Sequence, residues 1–161
     1  MLNIMENLND PNNLTVAEAI ENFFVHRKLM EKGLPRDQWY KDNWVRIPIR
    51  GYRIPILPIH GFKTSFILHD MHHVVTDYDI NIKGELEISA WELASGGCGH
   101  FYLFWVDRFI FMTFGLIVYP RATIAAFRYG RKHKNLFKRK IDEVMKMQLH
   151  TLQEELGINI T

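Results

Sequence analysis

Thr64-Ser65-Phe66-Ile67-Leu68-His69-Asp70-Met71-His72-His73-Val74-Val75 is the stretch on which the reading of this chain turns. Apolar residues flank it, and three histidines and an aspartate sit in its middle. The periodicity from Phe62 to Val75 predicts a helix. His69 and His73 are four residues apart, which places both imidazoles on one helical face, one turn apart. Eleven residues separate His73 from Glu85. Glu85 opens a second predicted helix, Glu85 to Ala94, with Leu86, Ile88, Ala90, Trp91 and Leu93 as its apolar positions. One contact between the two helices brings Glu85 to the histidines.

Polar side chains among apolar neighbours need partners, and four of the eight histidines lie between His60 and His73. Histidines at this spacing also occur as ordinary core or surface residues. The sharper reading is a divalent metal held by His69, Asp70, His73 and Glu85, zinc first, with iron or manganese as the alternatives. Asp70 either completes the ligand set or acts as a general base, as the glutamate does in His-Glu-x-x-His sites. His72 points about 100° away around the helix from His73. It is therefore expected outside the ligand set, either holding a hydrogen bond to it or facing solvent.

Outward from this stretch, the chain reads as an all-α, single multi-helix domain of 161 residues. Thr15-Val16-Ala17-Glu18 is a capping box, and Val16, Ala19, Ile20, Phe23, Phe24 and Leu29 give the helix behind it one apolar stripe that ends at Gly33 to Pro35. Within residues 41–60 the alternation Trp44-Val45-Arg46-Ile47 fits a hairpin strand. Pro48, Pro55 and Pro58 favour an extended, proline-containing arm instead. Phe101 to Tyr119 is the most hydrophobic segment. Asp107-Arg108 interrupts it and leaves Phe109 to Tyr119 as eleven mostly apolar residues, where a membrane span needs about 20, so it reads as a core helix or as the lining of a cavity for something greasy. Phe101, Phe104, Trp105 and Phe111 are the candidate tail contacts. Pro120 starts a short helix to Tyr129, and Asn135 to Leu156 reads as one long helix capped by Gly157.

With 47% apolar and 13% aromatic residues the chain is not of the disordered class. A net charge of +2 favours no polyanion over the whole molecule. The single cysteine, Cys98, excludes an internal disulfide. Met1 to Asn13 is polar and Asn-rich, a flexible lead-in with neither signal nor transit character, so a cytoplasmic protein is expected. Gly96-Gly97-Cys98-Gly99 lacks the Gly-Lys-Ser/Thr of a phosphate loop. Arg128, Arg131, Lys132, Lys134, Lys138, Arg139 and Lys140 form a run without an acidic residue. That run is either a solvated loop or a peripheral contact with anionic lipid. No aromatic platform accompanies it, so no nucleic-acid partner is expected.

The string His69-Asp70-x-x-His73, eleven residues, then Glu85 resembles the motif of the coenzyme Q (ubiquinone) biosynthesis protein 4 family. Gly84-Glu85, Thr76 and Tyr78 are similar to residues common there, as are Gly130-Arg131, Asn135-Leu136 and the closing Leu152 to Ile158. The likeness covers about residues 65–158; residues 1–60 do not share it, and Asp77 stands where that family commonly has a glycine. The resemblance implies a helical metal-binding region at residues 65–158 and a lyase-type role in ubiquinone-type quinone biosynthesis. The implied step is oxidative decarboxylation of a prenylated hydroxybenzoate-type precursor. It also implies isoprenoid lipid as partner. The run Arg128 to Lys140, just after the greasy segment, is the candidate for peripheral contact with the inner membrane, and the high apolar content of so small a chain leads to the expectation of a homodimer. Three other readings stand beside this one. One is a non-catalytic isoprenoid-binding scaffold that organises biosynthetic partners. The second is a related enzyme of a secondary pathway on another aromatic substrate. The third is a metal-dependent phosphohydrolase, for which His26, His100 and Asp107 have unsupportive spacing.

Overall fold

Thr15 opens the first helix, α1 (Val16–His26), with the expected reciprocal cap: its amide donates to Glu18 Oε2 at 2.8 Å and its Oγ1 accepts from the Glu18 amide at 3.3 Å. Val16, Ala19 and Ile20 are buried one turn apart, and Phe23 extends the stripe. The computed structural model describes residues 14–26, 44–49, 52–58 and 63–158. The expected lead-in at residues 1–13 and the helix stop at Gly33 to Pro35 lie outside the described residues.

The proline-containing arm is a paired hairpin. Strands β1 (Trp44–Ile49) and β2 (Tyr52–Pro58) run antiparallel, with Ile49 opposite Tyr52 and Val45 opposite Leu57. The register shifts between Val45 and Arg46, where Arg46 pairs with Pro55 and leaves Ile56 as the extra residue. A two-stranded ribbon consists only of edges, and prolines are tolerated at edges and bulges. That is why three prolines do not prevent pairing here. Apart from this hairpin and one isolated bridge, the regular elements among the described residues are all helices, as the all-α reading requires.

Helices α2 (Lys63–Thr76) and α3 (Ile82–Ala94) carry the motif residues. The turn between them is specified residue by residue. Asp77 takes a left-handed conformation, φ 57°, which glycine adopts freely and aspartate tolerates. This accounts for glycine being suited to that position. Asp79 accepts from the Ile80 amide at 2.8 Å and the Asn81 side chain at 2.6 Å, and Asn81 caps α3 by accepting from the Gly84 amide at 3.0 Å. At Gly84 a Cβ would fall 1.8 Å from the Asp79 carbonyl oxygen. No other residue type fits between the turn and the first turn of α3.

Helix α3 is buried almost all round, at Gly84, Leu86, Ile88, Ser89, Ala90, Trp91 and Glu92. Helices α4 (Tyr102–Val118) and α5 (Pro120–Gly130) pack against it. Close approach is possible because Gly115 faces Thr123 and Leu86, while Gly130 lies on the Trp91 backbone. Pro120 occupies the first position of α5, as expected.

Helix α4 is not a core helix. It buries only Phe104, Arg108 and Gly115, while Leu103, Val106, Ile110, Phe114 and Ile117 are each more than half exposed. The expected long helix from Asn135 to Leu156 is instead two short ones, α6 (Ile141–Val144) and α7 (Leu149–Leu156). Backbone groups between them are committed elsewhere: the Val16 amide donates to the Met147 carbonyl at 2.9 Å and the Leu149 amide to the Leu14 carbonyl at 2.8 Å. The apolar stripe still packs, with Val144, Leu152 and Leu156 buried, and Gly157 closes α7 at φ 80°. One core cluster runs from Val16 to Ile158.

Gly84→Ala should destabilise the protein by about 1–3 kcal/mol, the range for forced overpacking. A lowered chemical-denaturation midpoint, with the helical signal retained, is the expected result.

Candidate metal centre

Helix α2 presents His69 and His73 on one face, and α3 brings Glu85 against them. His69 Nε2 lies 3.2 Å from His73 Nε2, Glu85 Oε2 lies 3.3 Å from His69 Nε2, and Glu85 Oε1 lies 3.3 Å from His73 Nε2. Among the described residues these three form a cluster whose potential ligand atoms all lie within 4.8 Å of one another. Zinc with nitrogen or oxygen ligands at about 2.0–2.1 Å has tetrahedral edges of about 3.3–3.4 Å. The three observed separations fit that figure. Both histidines are buried, and the Glu85 side chain keeps about a quarter of its surface exposed.

The far nitrogens of both rings are anchored, which leaves the near ones available to a metal. His73 Nδ1 is 3.0 Å from the Tyr78 carbonyl oxygen, which only accepts, so Nδ1 carries the proton. His69 Nδ1 is 2.9 Å from Glu92 Oε1, and a carboxylate likewise fixes the proton on Nδ1. With both Nδ1 atoms donating, the two Nε2 atoms are left to face Glu85. Metal-binding histidines are commonly oriented in this way, one ring nitrogen anchored and the other ligating.

Of the four expected ligands, the structure brings together His69, His73 and Glu85. Asp70 is not in the cluster; it follows His69 directly and so projects from α2 about 100° around the axis. His72 lies outside the ligand set as expected, and it is fully buried. Its Nδ1 donates to Glu92 Oε1 at 2.6 Å and its Nε2 accepts from the Leu136 amide at 2.9 Å. It is therefore neutral, in agreement with burial lowering its pKa below the ordinary histidine value.

Two residues of the centre were not anticipated. Glu92 has no exposed surface and accepts from both His69 and His72. It stands seven residues after Glu85, two helical turns on the same face of α3, and that spacing was a readable signal. Arg108 from α4 places NH1 3.5 Å from Glu92 Oε2 and 3.3 and 3.4 Å from the two nitrogens of His69. Near-equal reach to both ring nitrogens puts it over the ring face. A cation inside the most hydrophobic segment was the readable signal there.

Burial alone would raise the pKa of Glu92, but the charge of His69 and the donations from His69 and His72 hold it well below the usual carboxylate range. Glu85 is likewise lowered, because hydrogen bonds from His69 and His73 outweigh its burial. Burial lowers the His69 pKa, but the charge of Glu92 and the hydrogen bond to Glu85 raise it to about 9. Cys98 is buried, and burial pushes its thiol up to about 12, so it stays protonated.

The candidate tail contacts are divided. Phe101 and Phe104 are core residues packed against Phe137, and Trp105 donates to the Gly99 carbonyl at 3.1 Å. Phe111 is partly exposed beside Arg108. No family model matches this chain, and no curated protein matches it.

Glu92→Gln should weaken zinc affinity about 10- to 100-fold, the usual effect of removing a partner behind a ligating histidine, measured by competition with a chromogenic chelator. A pH dependence follows from His69. Its folded pKa, about 9 without metal, exceeds the unfolded value of 6.5. The stabilisation is therefore complete below pH 6.5 and lost as pH rises through about 9. Zinc replaces that proton, so the zinc-loaded protein should instead lose stability as pH falls below about 6.5. Denaturant midpoints with zinc and with chelator should run in opposite directions across this range.

Proposed function

We propose that this chain is a metal-dependent protein of ubiquinone-type quinone biosynthesis, acting on a prenylated hydroxybenzoate-type acid whose ring carboxylate is removed oxidatively with dioxygen as the oxidant. The observation that carries the metal dependence is the convergence of His69 Nε2, His73 Nε2 and Glu85, with both Nδ1 positions already engaged. Zinc is the first candidate, with iron or manganese as alternatives. Three protein donors leave a coordination position for substrate, as in catalytic sites. A bound divalent metal supplies Lewis acidity toward a carboxylate or phenolic oxygen.

The chain's own residues account for the remainder. Glu92 and the Tyr78 carbonyl hold His69 and His73 in the ligating tautomer. Phe104 lies edge-on to His69, centroids 5.6 Å apart, and helps exclude water. The outer face of α4, lined by Leu103, Val106, Ile110, Phe114 and Ile117, suits a polyprenyl tail or the lipid surface that delivers one. Arg121, Arg128, Arg131 and Lys132 follow it with exposed side chains that suit anionic headgroups. No described helix is long and apolar enough to cross a membrane.

The same exposed face favours a second reading, a non-catalytic isoprenoid-binding scaffold whose metal is structural. Elemental analysis of protein purified without added metal or chelator separates the cases when joined to a lipid assay. Near-stoichiometric zinc, iron or manganese is expected in the wild type and should be lost in Glu85→Ala. A prenylated 4-hydroxybenzoate incubated in air with the loaded protein should lose its ring carboxylate by mass spectrometry. Retained binding of that compound without conversion would favour the scaffold, and absence of metal from the folded wild type would sink both metal-based readings.

A further inference from the structure

We infer that Arg108 is an anion-recognition residue beside this centre, and that Asp107 occupies on it the place taken by the carboxylate of an aromatic acid; this rests on the metal-centre reading above. The guanidinium spans the boundary between the centre and the surface. Its NH1 lies against His69 and 3.5 Å from Glu92 Oε2, and the side chain is only 5% exposed. Its other edge is taken by Asp107, whose side chain is 43% exposed.

The bond to Asp107 is a poor match for a guanidinium. Nε donates to Asp107 Oδ2 at 2.9 Å, and NH2 donates to that same oxygen. A matched arginine–carboxylate pair uses two oxygens against two parallel donors. Asp107 and Arg108 are consecutive on a helix, where side chains diverge by about 100°, so the two-oxygen fork is out of their reach. A free carboxylate has no such restriction.

Charge points the same way. With a divalent cation held by neutral His69 and His73, the anions Glu85 and Glu92 and the cation of Arg108 leave one uncompensated positive charge. Asp107 balances it from the surface side. An anionic substrate group on that same edge of the guanidinium would balance it instead, and Asp107 is exposed enough to turn to water when displaced. The surroundings select an arene: the guanidinium carbon lies 4.6 Å from the Phe104 ring centroid and 5.2 Å from that of Phe111, which is partly exposed. The class of ligand is thus an aromatic carboxylate, its acid group on Arg108 and its ring beside Phe111.

The test is calorimetric titration of the zinc-loaded full chain with 4-hydroxybenzoate and with the neutral 4-hydroxybenzamide, zinc content being measured for every sample. Asp107→Ala removes the internal competitor and should tighten 4-hydroxybenzoate roughly five- to tenfold, about 1 kcal/mol or slightly more, with no gain for the amide. Arg108→Gln should weaken the acid at least about tenfold while zinc is retained. Unchanged or weaker acid binding in Asp107→Ala, or equal tightening for the amide, overturns the inference even if Arg108→Gln fails to fold. Absence of zinc from the wild type overturns the metal-centre reading instead, and with it the charge imbalance used here.

Discussion

The carboxylate of Glu92 is the constraint on which this molecule is arranged. It has no exposed surface, and burying a carboxylate costs several kcal/mol unless donors and opposite charge surround it. Here they come from three directions: the Nδ1–H groups of His69 and His72 on α2, and the Arg108 guanidinium from α4. His72 passes the order onward by accepting the Leu136 amide. One side chain of α3 thereby ties together α2, α4 and the turn before α6, and the same bond that makes its burial tolerable sets the tautomer of His69 in the candidate metal centre. Fold and site share an interaction, so a substitution at Glu92 acts on both.

Helix α4 joins the centre to the outside. Its inner edge supplies Phe104 and Arg108 to the candidate metal centre, and its outer edge is a row of exposed apolar side chains at helical spacing. A ligand with an anionic aromatic head and a long apolar tail would use both edges. The proposed function would set the basic side chains of α5 and the turn after it against anionic headgroups. Arg139 stands partly apart from that run, because it pairs with Glu155 at 2.9 Å.

Features encoded over a few residues were legible in the sequence. The Thr15–Glu18 box, the helical spacing of His69 and His73, Pro120 at a helix start and Gly157 at a helix end each carry their own local signal. What was not legible depended on contacts distant in sequence. The stretch 135–156 has the stripe of one helix, yet its Leu136 amide goes to His72, and the backbone at Met147 and Leu149 pairs with the start of α1. Hydrophobicity marked α4 for the core, but burial is decided by what packs against a face, and only one narrow face of α4 meets α3. Asp70 was expected to complete the ligand set or act as a base, whereas the carboxylate that stands behind His69 is Glu92. Adjacency favoured the first, and the shared face of α3 delivered the second.

X-ray absorption at the metal edge of the zinc-loaded protein tests the central claim most directly. The account predicts two imidazole nitrogens at about 2.0–2.1 Å with oxygen completing a four-coordinate shell and no sulfur. A thiolate contribution, or a shell of oxygen ligands without imidazole scattering, would contradict it.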